Sequence, residues 1–340
     1  FLVFLSFAIN EIFIFQSDAV RVGSLLAYCT TIFYFYLFVK WALSSFLQNN
    51  PFYVLLSYIY IATYIVVTFV IVEFVLKNVF ALSFDGSATA LGFYRAYGLT
   101  SEPGHTAMFL EIMAPLAAYF LILKEKRVQL FLLLSSLALI FTFSAAAFVI
   151  VPLAVFISFL LLILAGKKIG VYFYKLTFLI IALFVILVFL SYFLELLTFS
   201  DLASQVMGKL STDNGSAYSR VRRLEEFYEV FVNANVVNIL IGYGPGAYKN
   251  LAIDSVISLY PNLLLETGLI GLATFVLFLL VIFRKILKIS GGPQFFFLVS
   301  FLSAVMHFFI VANYWYPWFW FLSALILAYW LNERRMRNVA

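Results

Sequence analysis

Long apolar stretches recur along the sequence, and short clusters of lysine and arginine separate them. A helix needs about 20 apolar residues to cross the hydrocarbon core of a bilayer. Ten segments meet or approach that length: 1–15, 22–47, 52–80, 106–123, 128–143, 146–164, 171–195, 262–283, 294–312 and 318–331. With 65% of residues apolar and 11% charged, this surplus of apolar surface needs hydrocarbon as its solvent, since an ordinary globular chain carries about 25% charge. The expected fold class is an all-α polytopic membrane protein. A single cysteine, Cys29, excludes both a disulfide framework and a Cys-based metal site. The net charge of +5 is spread along the chain instead of forming one patch, so no nucleic-acid partner is expected.

Orientation follows from the basic clusters. Lys-Glu-Lys-Arg at 124–127, Lys-Lys at 167–168, Arg-Lys-Ile-Leu-Lys at 284–288 and the tail at 332–337 recur after every second span. All fall on one side, which the positive-inside rule makes cytoplasmic. The opposite side then carries two long external segments, 81–105 and 196–260. Loops beyond about 15 residues in compact proteins are usually functional or disordered. No internal repeat is visible. The first span is short and begins with Phe1, so the natural N-terminus is expected upstream; no basic stretch precedes it as in a secretory signal.

Charge at bilayer depth costs at least about 2.5–3.5 kcal/mol, so each such residue needs a reason. Glu73 and Lys77, at i,i+4, are expected to pair. Glu111, Glu195, Glu266 and His307 all fall near the external ends of their spans. Together they suggest a water-filled vestibule open to the outside.

Within 196–260, residues from Ser216 or Ser219 to about Ala234 read as a helix with Val221, Leu224, Phe227, Tyr228 and Phe231 as its packed stripe. Arg222 falls opposite, among Glu225, Glu226 and Glu229, as a solvated residue. Arg220 lies within the stripe and Arg223 at its edge, so each needs an anion: a carboxylate such as Glu195 or Glu266, or a bound phosphate or diphosphate. The following Gly242-Tyr-Gly244-Pro-Gly246-Ala-Tyr248 allows a sharp turn and close backbone approach, making it a candidate substrate loop. It lacks the βαβ context of a dinucleotide site. With only His105 and His307 in the chain, no metal site is expected, and no cofactor is indicated. In the first external segment, Arg95, Glu102 and His105 lie close together, and Glu102 or His105 could accept a proton. Equally, Glu102-Pro103-Gly104 could be a turn before a helix. Asn313 to Trp318 reads as an interfacial aromatic belt.

This arrangement resembles the Wzy-type polysaccharide polymerases and the related O-antigen ligases, membrane proteins with a GT-C-like architecture. Arg95-Ala-Tyr-Gly-Leu-Thr-Ser-Glu102-Pro103 is similar to an Arg…Gly…Glu-Pro-Ser element of many polymerases, with Gly104 where Ser is usual. Thr142-Phe-Ser144 resembles the family's Thr-x-Ser span end. The third likeness is an external arginine helix, then Gly242 to Gly246, then Glu266-Thr-Gly268-Leu-Ile-Gly271 opening a span. Two departures favour polymerase over ligase: Ala145 stands where Arg often follows, and no His occurs between 106 and 306.

The resemblance implies a metal-independent, inverting glycosyl transfer at the periplasmic or outer face of a bacterial cytoplasmic membrane. Undecaprenyl-diphosphate-linked oligosaccharides would be donor and acceptor, the membrane lipid would surround the site, and a chain-length regulator would be a further partner. Arg220, Arg223 and Arg95 would neutralise the departing diphosphate, and His105, Glu102 or Asp254 would take the acceptor's proton. A ligase or protein oligosaccharyltransferase, and a lipid-linked oligosaccharide flippase, are the alternatives.

Overall fold

A computed structural model describes residues 19–46, 51–82, 89–90, 93–166, 216–254 and 258–339. The first and seventh expected spans and Glu195 lie outside them. The described chain is predominantly helical, and five of its helices are long and apolar enough to cross a membrane. In order the elements are α1 (Ala19–Phe46), α2 (Pro51–Asn78), β1 (Thr89–Ala90), β2 (Phe93–Tyr94), α3 (Pro103–Leu123), α4 (Val128–Phe141), α5 (Ala145–Leu164), α6 (Ser216–Val232), α7 (Val236–Ile241), α8 (Leu259–Lys288), α9 (Pro293–His307) and α10 (Pro317–Val339). The chain divides into two compact units, one of residues 1–34, 185–281 and 308–317, the other of 35–184, 282–307 and 318–340.

In the second unit α3 is the central helix: 72% of its apolar stretch is buried, against 11% in α1. It packs against α2, α4, α5 and α9, and α9 also packs on α5. Small side chains make this close approach possible: Ala114, Ala117 and Ala118 on α3, Ser300, Ser303 and Ala304 on α9, Ala154 and Ser158 on α5, all buried. Between helices in lipid, packing replaces the hydrophobic effect as the driving force, and small residues maximise it.

Helix ends are fastened at both levels. At the end of α2, Asn78 accepts from the Tyr94 amide at 2.7 Å and donates to its carbonyl at 2.9 Å. Beside it, Phe74 stacks on Phe141 at 3.9 Å. At the other level the basic clusters find aromatic and carboxylate partners. Lys124 sits over the Tyr53 ring at 4.3 Å and Lys285 over the Trp330 ring at 3.4 Å. Arg337 donates to Glu333 at 2.6 Å and to Ser290 at 2.9 Å.

The ninth span is shorter than the expected 294–312. α9 stops at His307, and the next carbonyl, that of Phe308, accepts from the Leu259 amide at 2.9 Å. Pro317, which lacks a donor amide, begins α10 where a helix leaves its first amides unpaired anyway.

Candidate functional site

The first unit is built around a broken helix. Gly268, inside α8, has φ 64° and ψ −169°, a conformation open essentially to glycine alone. Such a residue turns the following amides away from the carbonyls one turn back. The glycine turn replaces those donors: Tyr243 donates to the Leu265 carbonyl at 2.8 Å and Gly244 to that of Glu266 at 3.0 Å. Gly242 is held in the same region, φ 76° and ψ −179°, and a Cβ there would lie 2.6 Å from the Glu266 carbonyl oxygen. Two glycine-only positions therefore face each other across one backbone contact.

Glu266 sits at the centre of this turn, 2% exposed. One carboxylate oxygen accepts from the Gly246 amide at 2.9 Å, the other from the Tyr28 hydroxyl at 2.5 Å. Tyr28 stacks on Tyr314 with ring centroids 4.3 Å apart. Burial, with the Glu266 carboxylate nearby, raises the Tyr314 phenol above its ordinary value, so it stays neutral. Gly242, Gly244 and Gly246 are buried around Glu266 and Tyr248 is half-buried, so the glycines act as a packed brace and not as an exposed substrate loop.

α6 is turned part-way from the expected direction. Arg222 is hydrogen-bonded to Asp254, and Arg223 lies 3.6 Å from the same oxygen. Glu226 accepts from the Asp254 amide at 3.2 Å and lies 3.5 Å from Arg222. Arg223 and Glu226 thus face the protein together with Phe227 and Phe231 of the expected packed stripe, which are half-buried, while Val221, Leu224 and Tyr228 of that stripe are exposed. Arg222, expected to be solvated, shares with Arg223 an anion among the described residues, Asp254. Arg220 lies on α6, with its side chain outside the described residues.

In the second unit Arg95 donates through Nε to the Thr142 carbonyl at 2.9 Å, and the adjoining Ala96 amide bonds the Phe141 carbonyl at 2.9 Å. The segment after Arg95 is held by Glu73, which accepts from the amides of Tyr97 and Gly98 at 3.0 and 2.7 Å and pairs with Lys77 at 2.6 Å. Glu102 precedes α3 with its side chain exposed, 3.8 Å from the buried His105. Deeper in the bundle His307 meets Glu111 at 2.8 Å. The exposures of Glu111 and His307 are 2% and 1%, so an open vestibule at Glu111, Glu266 and His307 gives way to buried clusters, one in each unit.

Of the candidates, the structure joins Arg223 to Asp254, Gly246 to Glu266, Glu102 to His105 and Glu111 to His307. Arg95, Glu102 and His105 belong to one unit, Arg220, Arg223 and Asp254 to the other. Tyr28 and Tyr314 were missed as partners of Glu266. Nothing separates Tyr28 from other aromatics in an apolar run, and Tyr314 was absorbed into the aromatic belt. Among the described residues no cluster of His, Cys, Asp and Glu is arranged to hold a metal ion. No family model, curated protein or solved structure matches the chain.

Proposed function

We propose that the protein is a membrane glycosyltransferase that polymerises polyprenyl-diphosphate-linked oligosaccharide repeats on the membrane face opposite its basic loops. One observation carries this reading: stretches that resemble polymerases, distant along the chain, meet in pairs. Arg95 bonds Thr142 across 47 residues, and the Gly242–Gly246 turn closes on Glu266 and Gly268. In the reaction an acceptor hydroxyl oxygen forms a bond to the anomeric carbon, and the bond from that carbon to the diphosphate breaks. The electron pair leaves with the diphosphate, and the hydroxyl proton passes to a carboxylate or imidazole base. Arg222 and Arg223 supply fixed positive charge for the departing diphosphate, which competes with Asp254 for two guanidinium groups. A transporter is the second reading, because interrupted helices are common at transporter binding sites and α8 is interrupted at Gly268.

The test is purified protein in proteoliposomes with labelled lipid-linked repeats. A ladder of longer glycans supports the polymerase. Movement of unaltered repeats across the bilayer identifies a transporter, and transfer only to an added lipid A core identifies a ligase.

A further inference from the structure

α6 turns Arg223 and Glu226 toward the protein together with Phe227 and Phe231, and leaves four large apolar side chains on its exposed side. At 100° per residue, Arg222, Arg223 and Glu226 centre on the side that meets Asp254, whereas Val221, Leu224, Tyr228 and Val232 lie roughly opposite. All four of the latter are exposed, Tyr228 at 65%. The pattern continues on α7, where Val236, Val237 and Leu240 are exposed, Val236 at 71%. A helix surrounded by water would be built the other way round.

The level at which these helices lie is set by α8. A Cβ on Gly268 would strike the Leu240 carbonyl, so the end of α7 touches α8 at its break. The part of α8 beyond the break, ending at Lys288, is about 30 Å long at 1.5 Å per residue, matching a hydrocarbon core of about 30 Å. With the Arg284–Lys288 end at the cytoplasmic boundary, the break falls at the opposite boundary. Leu269 and Ile270, directly after the break in α8, are exposed as well.

We propose that α6 and α7 lie in the plane of the membrane, on the side opposite the basic loops, with their apolar faces inserted in the lipid. Glu225 and Glu229 border one edge of the α6 stripe, so that helix rides at headgroup level, its apolar side chains reaching about 5–10 Å into the acyl boundary. The arrangement holds Arg222 and Arg223 on the water side of a helix anchored in lipid. It stands independently of the polymerase reading.

The experiment uses the full chain in lipid nanodiscs, with Cys29→Ser removing the sole native thiol. An environment-sensitive fluorophore is attached at Tyr228→Cys or Val237→Cys, with exposed Asn233→Cys as the aqueous control. Brominated phosphatidylcholine should remove about half or more of the emission at positions 228 and 237, as expected for labels at the acyl boundary, and aqueous iodide should quench only position 233. Iodide quenching at all three positions would overturn the proposal. Protection of 228 and 237 from both quenchers would overturn it too, showing a protein partner or second copy over the patch.

Discussion

Glu266 shows how one buried carboxylate can organise distant residues. Its oxygens are shared between a backbone amide of the glycine turn and the hydroxyl of Tyr28. A hydrogen bond contributes about 0.5–3 kcal/mol, neutral pairs at the lower end and charged ones at the upper, so Tyr28→Phe should lower stability in detergent within that range. Thermal unfolding of Tyr28→Phe, Glu266→Gln and the double variant should show strong non-additivity; additive losses would mean that the pair is not coupled. Gly268→Ala should be more damaging than an alanine elsewhere, costing about 1–3 kcal/mol from the backbone alone, plus collision with the Leu240 carbonyl. Gly23→Ala, where nothing lies within 4 Å, is the matched control and should be neutral or stabilising. At the end of the bundle that carries the basic clusters, burial alone would raise the Glu333 carboxyl, but hydrogen bonds from Ser290 and Arg337 more than offset it and hold the group below its ordinary value. The resulting stability is present above the carboxyl's unfolded titration range and is lost as pH falls through the depressed folded one. Glu333→Gln should therefore flatten the acid side of the stability–pH curve and leave little difference where the wild-type carboxyl is already protonated.

At the scale of elements, apolar length located helices well. α2, α3, α5 and α10 begin within a few residues of the expected span starts, because the cost of leaving lipid-exposed backbone unpaired makes a long apolar run helical. The break in α8 was not legible. Gly268 sits in an ordinary run of helix formers, and its conformation depends on carbonyl partners supplied by residues 243 and 244. For α6, spacing correctly grouped Val221, Leu224 and Tyr228 on one face, yet periodicity does not say which face turns inward. Next to a bilayer an apolar face can be the one turned outward. The attachment is light: Arg222 and Asp254 are 50% and 45% exposed, and pairs of this kind are worth about 0–1 kcal/mol. Asp254→Asn should therefore raise amide exchange in α6 by no more than about fivefold while exchange in α3 stays unchanged. A loss of protection throughout the chain would show that Asp254 supports far more than one helix.

For the whole molecule, the alternation of basic loops implies an orientation, and the structure puts Lys124, Lys285 and Arg337 among the aromatic and carboxylate partners of one bundle end. The candidate site was legible only in fragments. Residue chemistry singled out Glu102, His105, Arg223 and Glu266; the Glu102–His105 pair is local, but Asp254 lies 31 residues from Arg223 and Tyr28 lies 238 residues from Glu266, and no local pattern encodes those partners. The mechanism proposed from these residues makes a stoichiometric demand: each new glycosidic bond must release one polyprenyl diphosphate. Parallel counting of glycan bonds and released lipid diphosphate in proteoliposomes, for the wild type and for Arg222→Ala/Arg223→Ala shown to be folded, tests that demand most directly. The account predicts a ratio of one in the wild type and loss of both products in the variant. Bond formation undiminished in the variant, or repeats left unjoined by the wild type, would contradict it.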